Sequence, residues 1–337
     1  MKFKKLLSIS ASILLATSLL TGCSSNKEKA KKLSVAIVLG EGSINDQSFN
    51  QSTWEGLQKA KEDFGVDIKY LESKQKSDYV QNIETFVDQD IDLIVGVGYQ
   101  LEDPIKEMAE SYPEQKFGLI DATYKNIPKN VVPVVFKEEE GAYLAGMIAA
   151  KMTKTDNVGF IGGMTTPSIE KYHYGFKYGA VSTNKDVKIQ EQYANSFSDQ
   201  AKGKSIAKQM HAAGADIILA AAGDTGTGSI EAARENKKYA IGVDRDQSYL
   251  APENVITSVL KKLNVASYNL SKELVDGKFE GGVQKVYGLK EGAIGIPENT
   301  SKHVPQDIID YVNKQAELVK NGKVIVPRTQ DEFNGAK

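Results

Sequence analysis

Short apolar runs of four to eight residues alternate along most of this chain with longer stretches in which apolar positions recur at helical spacing. The runs read as strands: "LSVAIVLG" from Leu33, "DIKYLES" from Asp67, "DLIVGVG" from Asp92, "KFGLID" from Lys116 and "VVPVVF" from Val131. Between them, "FNQSTWEGLQKAKEDFG", "DYVQNIETFVDQD" and "EDPIKEMAESYPE" predict amphipathic helices. Strands buried on both faces and separated by helices predict a parallel sheet with right-handed crossovers. Pro133 cannot donate to a ladder, which predicts an edge strand or a crossing segment there. The pattern then restarts. A helix rich in small residues, "EEEGAYLAGMIAAKMT", leads into "NVGFIGG" from Asn157, "VKIQEQY" from Val187, "ADIILAAAG" from Ala215, "KYAIGVD" from Lys238 and "VITSVL" from Val255. One further helix, "NVASYNLSKELVDG", and the run "VQKVYGL" follow. Two similar α/β units in tandem, with an extra strand–helix–strand piece, predict an α/β protein of two doubly wound parallel-sheet lobes.

The N-terminus follows a different rule. Lys2, Lys4 and Lys5 precede the apolar stretch "LLSISASILLATSLL", which runs into Leu20-Thr21-Gly22-Cys23. Basic, apolar and small-residue segments in that order predict a secretory signal over residues 1–22. Cys23 is the single cysteine, so no disulfide forms within the chain. A lone thiol after Leu-Thr-Gly resembles a bacterial lipobox, in which the cysteine is acylated and becomes the new N-terminus. Two acyl chains hold a protein at a membrane lastingly, where one does not. The stretch over residues 23–32 is small, polar and charged, and predicts a flexible tether. Residues 1–22 carry three of the 42 basic residues and no acidic one, so the remaining chain has 39 against 44, a net charge of −5. A mildly acidic body with no basic block does not fit nucleic acid as a partner. Nothing in the sequence calls for more than a monomer.

Open parallel sheets bind ligands beyond the carboxyl ends of their strands, so the chemistry is sought there. Asn45, Asp46, Ser48 and Phe49 follow the first strand, Tyr99 the third and Asp121 the fourth. In the second unit Phe197 lies beyond "EQYAN", Gly223 and Thr225 follow "ILAAA", Asp244 ends "AIGVD", and Lys261 follows "VITSVL". Each has an ordinary alternative. Asp46 or Ser48 caps a helix, the glycines permit tight turns, the phenyl rings are core, and Lys261 is a solvated helix residue. Their recurrence at one edge favours a shared cleft instead. Planar rings sandwich a flat apolar base, and carboxylates accept hydrogen bonds from sugar hydroxyls and ring N–H groups. His173, His211 and His303 have no metal-ligand spacing. "GGMTTPS" and "GDTGTGS" do not match a phosphate-binding P-loop, and "GEGSIND" matches a dinucleotide fingerprint only in part. No catalytic set and no cofactor motif emerges.

Taken together, "NDQSFNQSTWEGL", "FGLID", "EEEGAYLAGMIAA", "GFIGGM", "ANSFSDQAKGK", "AAGDTGTG", "GVDRDQ" and "VITSVLKK" resemble the basic membrane protein lipoproteins, which include purine nucleoside receptors of bacterial ABC transporters. The resemblance implies a type I periplasmic-binding-protein fold with three crossovers and a nucleoside held between its lobes. It implies lobes over residues 33–136 plus 250–288 and 137–249 plus 289–337, with crossings near residues 137, 250 and 289. It also implies an ABC permease with its ATPase subunit as partners, no enzymatic activity, and a lipid anchor on the extracytoplasmic face of the cell membrane. Carried onto this sequence, Phe49 is a stacking aromatic and Phe197 the opposing ring. Asp121 is a carboxylate near the base, Asp244 and Lys261 are the ribose-binding pair, and Gly223 and Thr225 line the same edge. One departure stands out. Family members commonly place Asp where the first strand ends, whereas Gly40 stands there in this chain, so that contact is missing or is supplied by Glu41 or Asn45. Similar proteins also take other flat heterocycles, or act as surface lipoproteins in signalling or adhesion.

Overall fold

The computed structural model describes residues 32–336. The signal over residues 1–22, the acylation site at Cys23 and the tether as far as residue 31 lie outside them.

The first unit runs β1 (Ser34–Glu41), α1 (Phe49–Phe64), β2 (Asp67–Ser73), α2 (Asp78–Val87), β3 (Leu93–Val97), α3 (Glu102–Ser111), β4 (Lys116–Ile120) and β5 (Val131–Phe136). The second runs α4 (Glu138–Met152), β6 (Asn157–Gly162), α5 (Pro167–Thr183), β7 (Lys188–Tyr193), α6 (Gln200–Ala212), β8 (Ile217–Ala221), α7 (Gly223–Asn236), β9 (Tyr239–Asp244) and β10 (Val255–Lys261). The chain ends with α8 (Leu263–Val275), β11 (Lys285–Tyr287), β12 (Ile294–Gly295), α9 (Gln306–Lys320) and α10 (Gln330–Gly335). Central strands are sealed on both faces: Val35 to Leu39, Leu93 to Val95 and Ile217 to Leu219 are essentially inaccessible to solvent. That is why they read as unbroken apolar runs rather than alternating ones.

Two six-stranded sheets result, ordered β11-β5-β4-β3-β1-β2 and β12-β10-β9-β8-β6-β7. Only the short β12 pairs antiparallel, with β10. Each sheet therefore winds in the same 2-1-3-4-5 order, and the winding direction reverses between β1 and β3 in one and between β6 and β8 in the other. Loops leaving the strands at that reversal diverge and open a crevice. The architectural echo in the sequence is this repeated topology.

Two expectations need correction. β10 pairs in parallel with β9, Leu260 opposite Asp244, so it completes the second sheet. The second crossing thus falls near Lys262 and not near residue 250. Residues 250–262 belong with the second lobe, and α8 and β11 with the first, where α8 packs on α1. Both sheets are equally apolar, so the run "VITSVL" carries no mark of which it joins. The other crossings lie at Lys137 and near Gly288, beside the expected positions. The second concerns β5: of the two alternatives, an edge strand is excluded because β11 pairs outside it, while the strand does lead directly into the crossing at Lys137. Pro133 is tolerated since that pairing begins one residue later, with Lys285 opposite Val134.

The helix α4 is buried along nearly its whole length. It crosses α5 so closely that a Cβ on Gly146 would lie 2.1 Å from the carbonyl oxygen of Phe176. Gly146→Ala is expected to push the two helices apart and lower stability by about 1–3 kcal/mol. An unchanged urea midpoint would contradict that contact.

Candidate functional site at the facing sheet edges

The loop after β1 settles what the polar residues before α1 do. The Asp46 carboxylate accepts the backbone N–H groups of Ser48 (2.9 Å), Asn50 (2.8 Å) and Gln51 (3.1 Å), and so caps the helix. Ser48 makes no side-chain cap bond. Its hydroxyl instead donates across the cleft to Asp244 of the other lobe. Phe49, the first residue of α1, is left half-buried on the cavity wall. Burial pushes the Asp46 carboxyl up to about 6, against the three N–H groups that favour its charged form. A carboxyl that binds its proton more tightly folded than unfolded adds stability at low pH. That stability is lost as pH rises from about 4 through 6. Asp46→Asn keeps an acceptor at the cap, so its melting temperature should fall less than that of the wild type across this range. Parallel pH profiles would contradict the assignment.

A cavity with about 820 Å³ of empty space, part of it open to solvent, lies where the two sheets face each other. Its walls come from both reversal points. Gly40, Phe49, Gly98, Tyr99 and Gln100 stand on the β1/β3 side, while Thr166, Ser168, Gly223 and Asp224 stand on the β6/β8 side. Asp121 beyond β4, Phe197 beyond β7, Asp244 on β9 and Lys261 on β10 complete it. Tyr99 and Phe197 meet across the lobes with ring centroids 6.5 Å apart. The two aspartates occupy equivalent places, each at the end of the fourth strand of its unit. Both hold positive φ, +73° for Asp121 and +66° for Asp244. Left-handed backbone at a non-glycine residue costs energy and gathers at ligand sites.

Lys261 reaches this wall from a buried position, 1% exposed. Its ammonium donates to Asp121 (2.5 Å) and Ser168 (3.2 Å) and pairs with Glu138 (2.7 Å). It lies 5.3 Å from the centre of the Phe49 ring. Lys171 binds the other Glu138 oxygen at 3.0 Å. Tyr172 donates to Asp244 at 3.3 Å, beside the bond from Ser48. Two ammonium groups thus face three buried carboxylates, one negative charge in excess. Burial alone would lower the Lys261 pKa, but Asp121, Glu138 and Asp244 outweigh it and raise it. Burial alone would raise Glu138, yet Lys261 and Lys171 hold it below the usual carboxylate range. Burial raises Asp121 and Asp244 despite the nearby lysine, as the excess charge requires.

Eight of the ten residues expected to bind ligand border the cavity: Asp46, Phe49, Tyr99, Asp121, Phe197, Gly223, Asp244 and Lys261. The structure does not bring the other two there. Asn45 is exposed, and its N–H turns back to the Ser43 hydroxyl. Thr225 is buried behind the wall. Its hydroxyl accepts from the Asp199 N–H and its own N–H donates to the Phe197 carbonyl, so it fixes the loop that carries the ring. Glu138, Tyr172, Ser168 and Gln100 escaped the reading of strand ends. Glu138 had a usable signal, since it is the first helical residue after a strand that crosses between lobes.

The lobes are also pinned at the rim. Gln247 donates to the Gln47 carbonyl at 3.1 Å, Tyr249 to the Gln47 side chain, and Arg245 pairs with Glu55 at 3.1 Å. Two wound sheets joined by three crossings and closed over a cleft at their facing reversal points define a bilobal, type I periplasmic-binding-like solute-binding protein. The chain belongs to the Bmp family, described as ABC transporter substrate-binding protein PnrA-like, which matches residues 33–330. It is 41% identical to basic membrane protein A of Borreliella afzelii over 305 residues, covering 89% of this chain and 93% of that one. It is 36% identical to the ABC transporter nucleoside-binding protein BmpA of Lactococcus lactis subsp. cremoris, covering 96% and 99%. The crystal structure of an ABC transporter solute-binding protein from Aeropyrum pernix K1 superposes with a TM-score of 0.83 at 28% identity, covering 90% of this chain and 96% of that one.

Proposed function

We infer that this substrate-binding protein captures purine nucleosides between its lobes and presents them, from a lipid anchor on Cys23 at the outer face of the cell membrane, to an ABC permease and its ATPase. One observation carries the reading: the cavity is apolar and aromatic at one part and ionic at another. Phe49, Tyr99 and Phe197 suit the faces of a flat base, and the Asp121–Lys261–Asp244 cluster suits a sugar bearing hydroxyls. Asp244 uses one position on each oxygen for Ser48 and Tyr172. A carboxylate has about four acceptor positions, which leaves two for a ribose diol. The name of the Lactococcus lactis relative, a nucleoside-binding protein, supports the same ligand class. No helix of the described residues is long and apolar enough to cross a membrane.

Closure about the three crossings would give the permease one rigid surface to recognise. The expected result of native mass spectrometry on freshly purified protein is an added mass equal to one nucleoside, released on denaturation. A protein that carries none, and takes up none when mixed with guanosine, inosine or adenosine, would overturn the reading. Asp244→Ala is expected to erase the preference for a nucleoside over its free base. Retention of the wild-type preference would remove the ribose assignment.

A further inference from the structure

Gly40, at the end of β1, has no side chain to offer the cavity, and the space in front of it is taken. A Cβ built there would lie 2.7 Å from Oε1 of Gln100 and 3.1 Å from its Cδ. A Cβ on Gly98, whose φ of +97° already favours glycine, would lie 3.1 Å from the same Oε1 and 3.8 Å from Cε1 of Phe49. Two glycines therefore make a slot, and the Gln100 amide fills it beside the edge of the Phe49 ring. Gln100 sits on the turn after β3, one residue beyond Tyr99, and borders the cavity. Among the described residues nothing is hydrogen-bonded to its amide. Other polar side chains of that wall are wholly or partly engaged. Asp46 caps α1, Asp121 holds Lys261, and the Asn50 amide donates to the Ser43 carbonyl at 3.2 Å.

We propose that Gln100 is the residue that reads the edge of the base stacked on Phe49, and that its neutral amide lets the site take 6-amino and 6-oxo purine nucleosides alike. The proposal rests on the nucleoside reading above. An amide offers an acceptor and a donor side by side. Adenine presents the N6 amino group beside a ring nitrogen, so the amide oxygen accepts from N6 and the amide nitrogen donates to the ring. Hypoxanthine and guanine present N1–H beside O6, and the same amide pairs with that edge after turning over. A carboxylate in this slot behaves otherwise. It only accepts, so it favours the two adjacent donors of guanine, N1–H and the 2-amino group, and sets a negative oxygen against a lone pair of adenine. Buried acceptors left facing each other are costly, and that cost is what separates ligands.

The test is calorimetry with adenosine, inosine and guanosine on the wild type, Gln100→Glu and Gln100→Leu, with melting curves to show that each variant is folded. The wild type is expected to bind adenosine and guanosine within about tenfold of each other. Gln100→Glu should shift the adenosine-to-guanosine affinity ratio toward guanosine by at least tenfold. Gln100→Leu should weaken both without favouring either. A wild type that binds no nucleoside overturns the functional reading, and this inference with it. Nucleoside binding by all three proteins with an unchanged ratio in Gln100→Glu overturns the inference and leaves the functional reading standing.

Discussion

Lys261→Met is expected to reduce nucleoside binding below detection and to lower the unfolding free energy by about 3–5 kcal/mol, the usual consequence of removing one partner from a buried ion cluster. Methionine keeps most of the unbranched apolar stem and lacks the ammonium, so the loss is mainly one of charge. Asp121, Glu138 and Asp244 would then face one another with only Lys171 nearby, and of the three Lys171 pairs only with Glu138, its other bond going to the Phe136 carbonyl. Proton uptake would relieve part of that repulsion and would neutralise the acceptors offered to a sugar. The three N–H vectors of Lys261 already point at Asp121, Glu138 and Ser168. Its role is therefore mainly to hold the carboxylates in place, with only the longer bond to Ser168 easily exchanged for a ligand hydroxyl. The variant should regain stability as pH is lowered toward the carboxylate range, whereas a loss of packing alone would cost the same at every pH. Chemical denaturation at pH 5 and pH 8 checks this. A variant as stable as the wild type at pH 8 would contradict it.

Phe49→Ala is expected to weaken nucleoside binding at least tenfold while the fold survives. Removing an aromatic platform costs about 1–3 kcal/mol per stacked base, or roughly 5- to 150-fold. The upper half of that range applies where water is excluded. Phe49 is half-buried and packs against the core from the cavity wall, while the fully buried face of α1 is formed by Leu57, Ala60 and the small residues around Gly56. Phe49→Trp should keep most of the affinity, since a larger ring preserves the platform. Calorimetry on both variants separates stacking from simple bulk, and an unchanged affinity in Phe49→Ala would dismiss the stacking role.

Much of this molecule could be read before any coordinates. The main strands of both sheets begin within a residue or two of their predicted runs. The central ones, sealed on both faces, leave no ambiguity of period, while the exposed edge strands β2 and β7 are marked only by their place between helices. The site was legible for a related reason: topology fixes where strand ends meet, so Asp121 and Asp244 could be found as the polar residues terminating apolar runs. Three features were not legible. The partner of β10 depends on which sheet edge is open, a long-range fact that a run of Val, Ile and Leu does not encode. Thr225 and Asn45 lie close in sequence to true wall residues but turn the other way, and only the hydrogen bonds of their loops decide that. Gln100 reads in the sequence as an ordinary turn amide two residues beyond a glycine. Its meaning comes from the side chain missing at Gly40 on a different strand, whose place the amide occupies.

The most direct measurement is a crystal structure of the protein grown with a purine nucleoside. The base is expected against the Phe49 ring with its edge at Gln100, and the ribose hydroxyls within hydrogen-bonding distance of Asp244. A nucleoside found outside the space between the sheets, or one whose sugar points away from Asp244 and Lys261, would contradict the account.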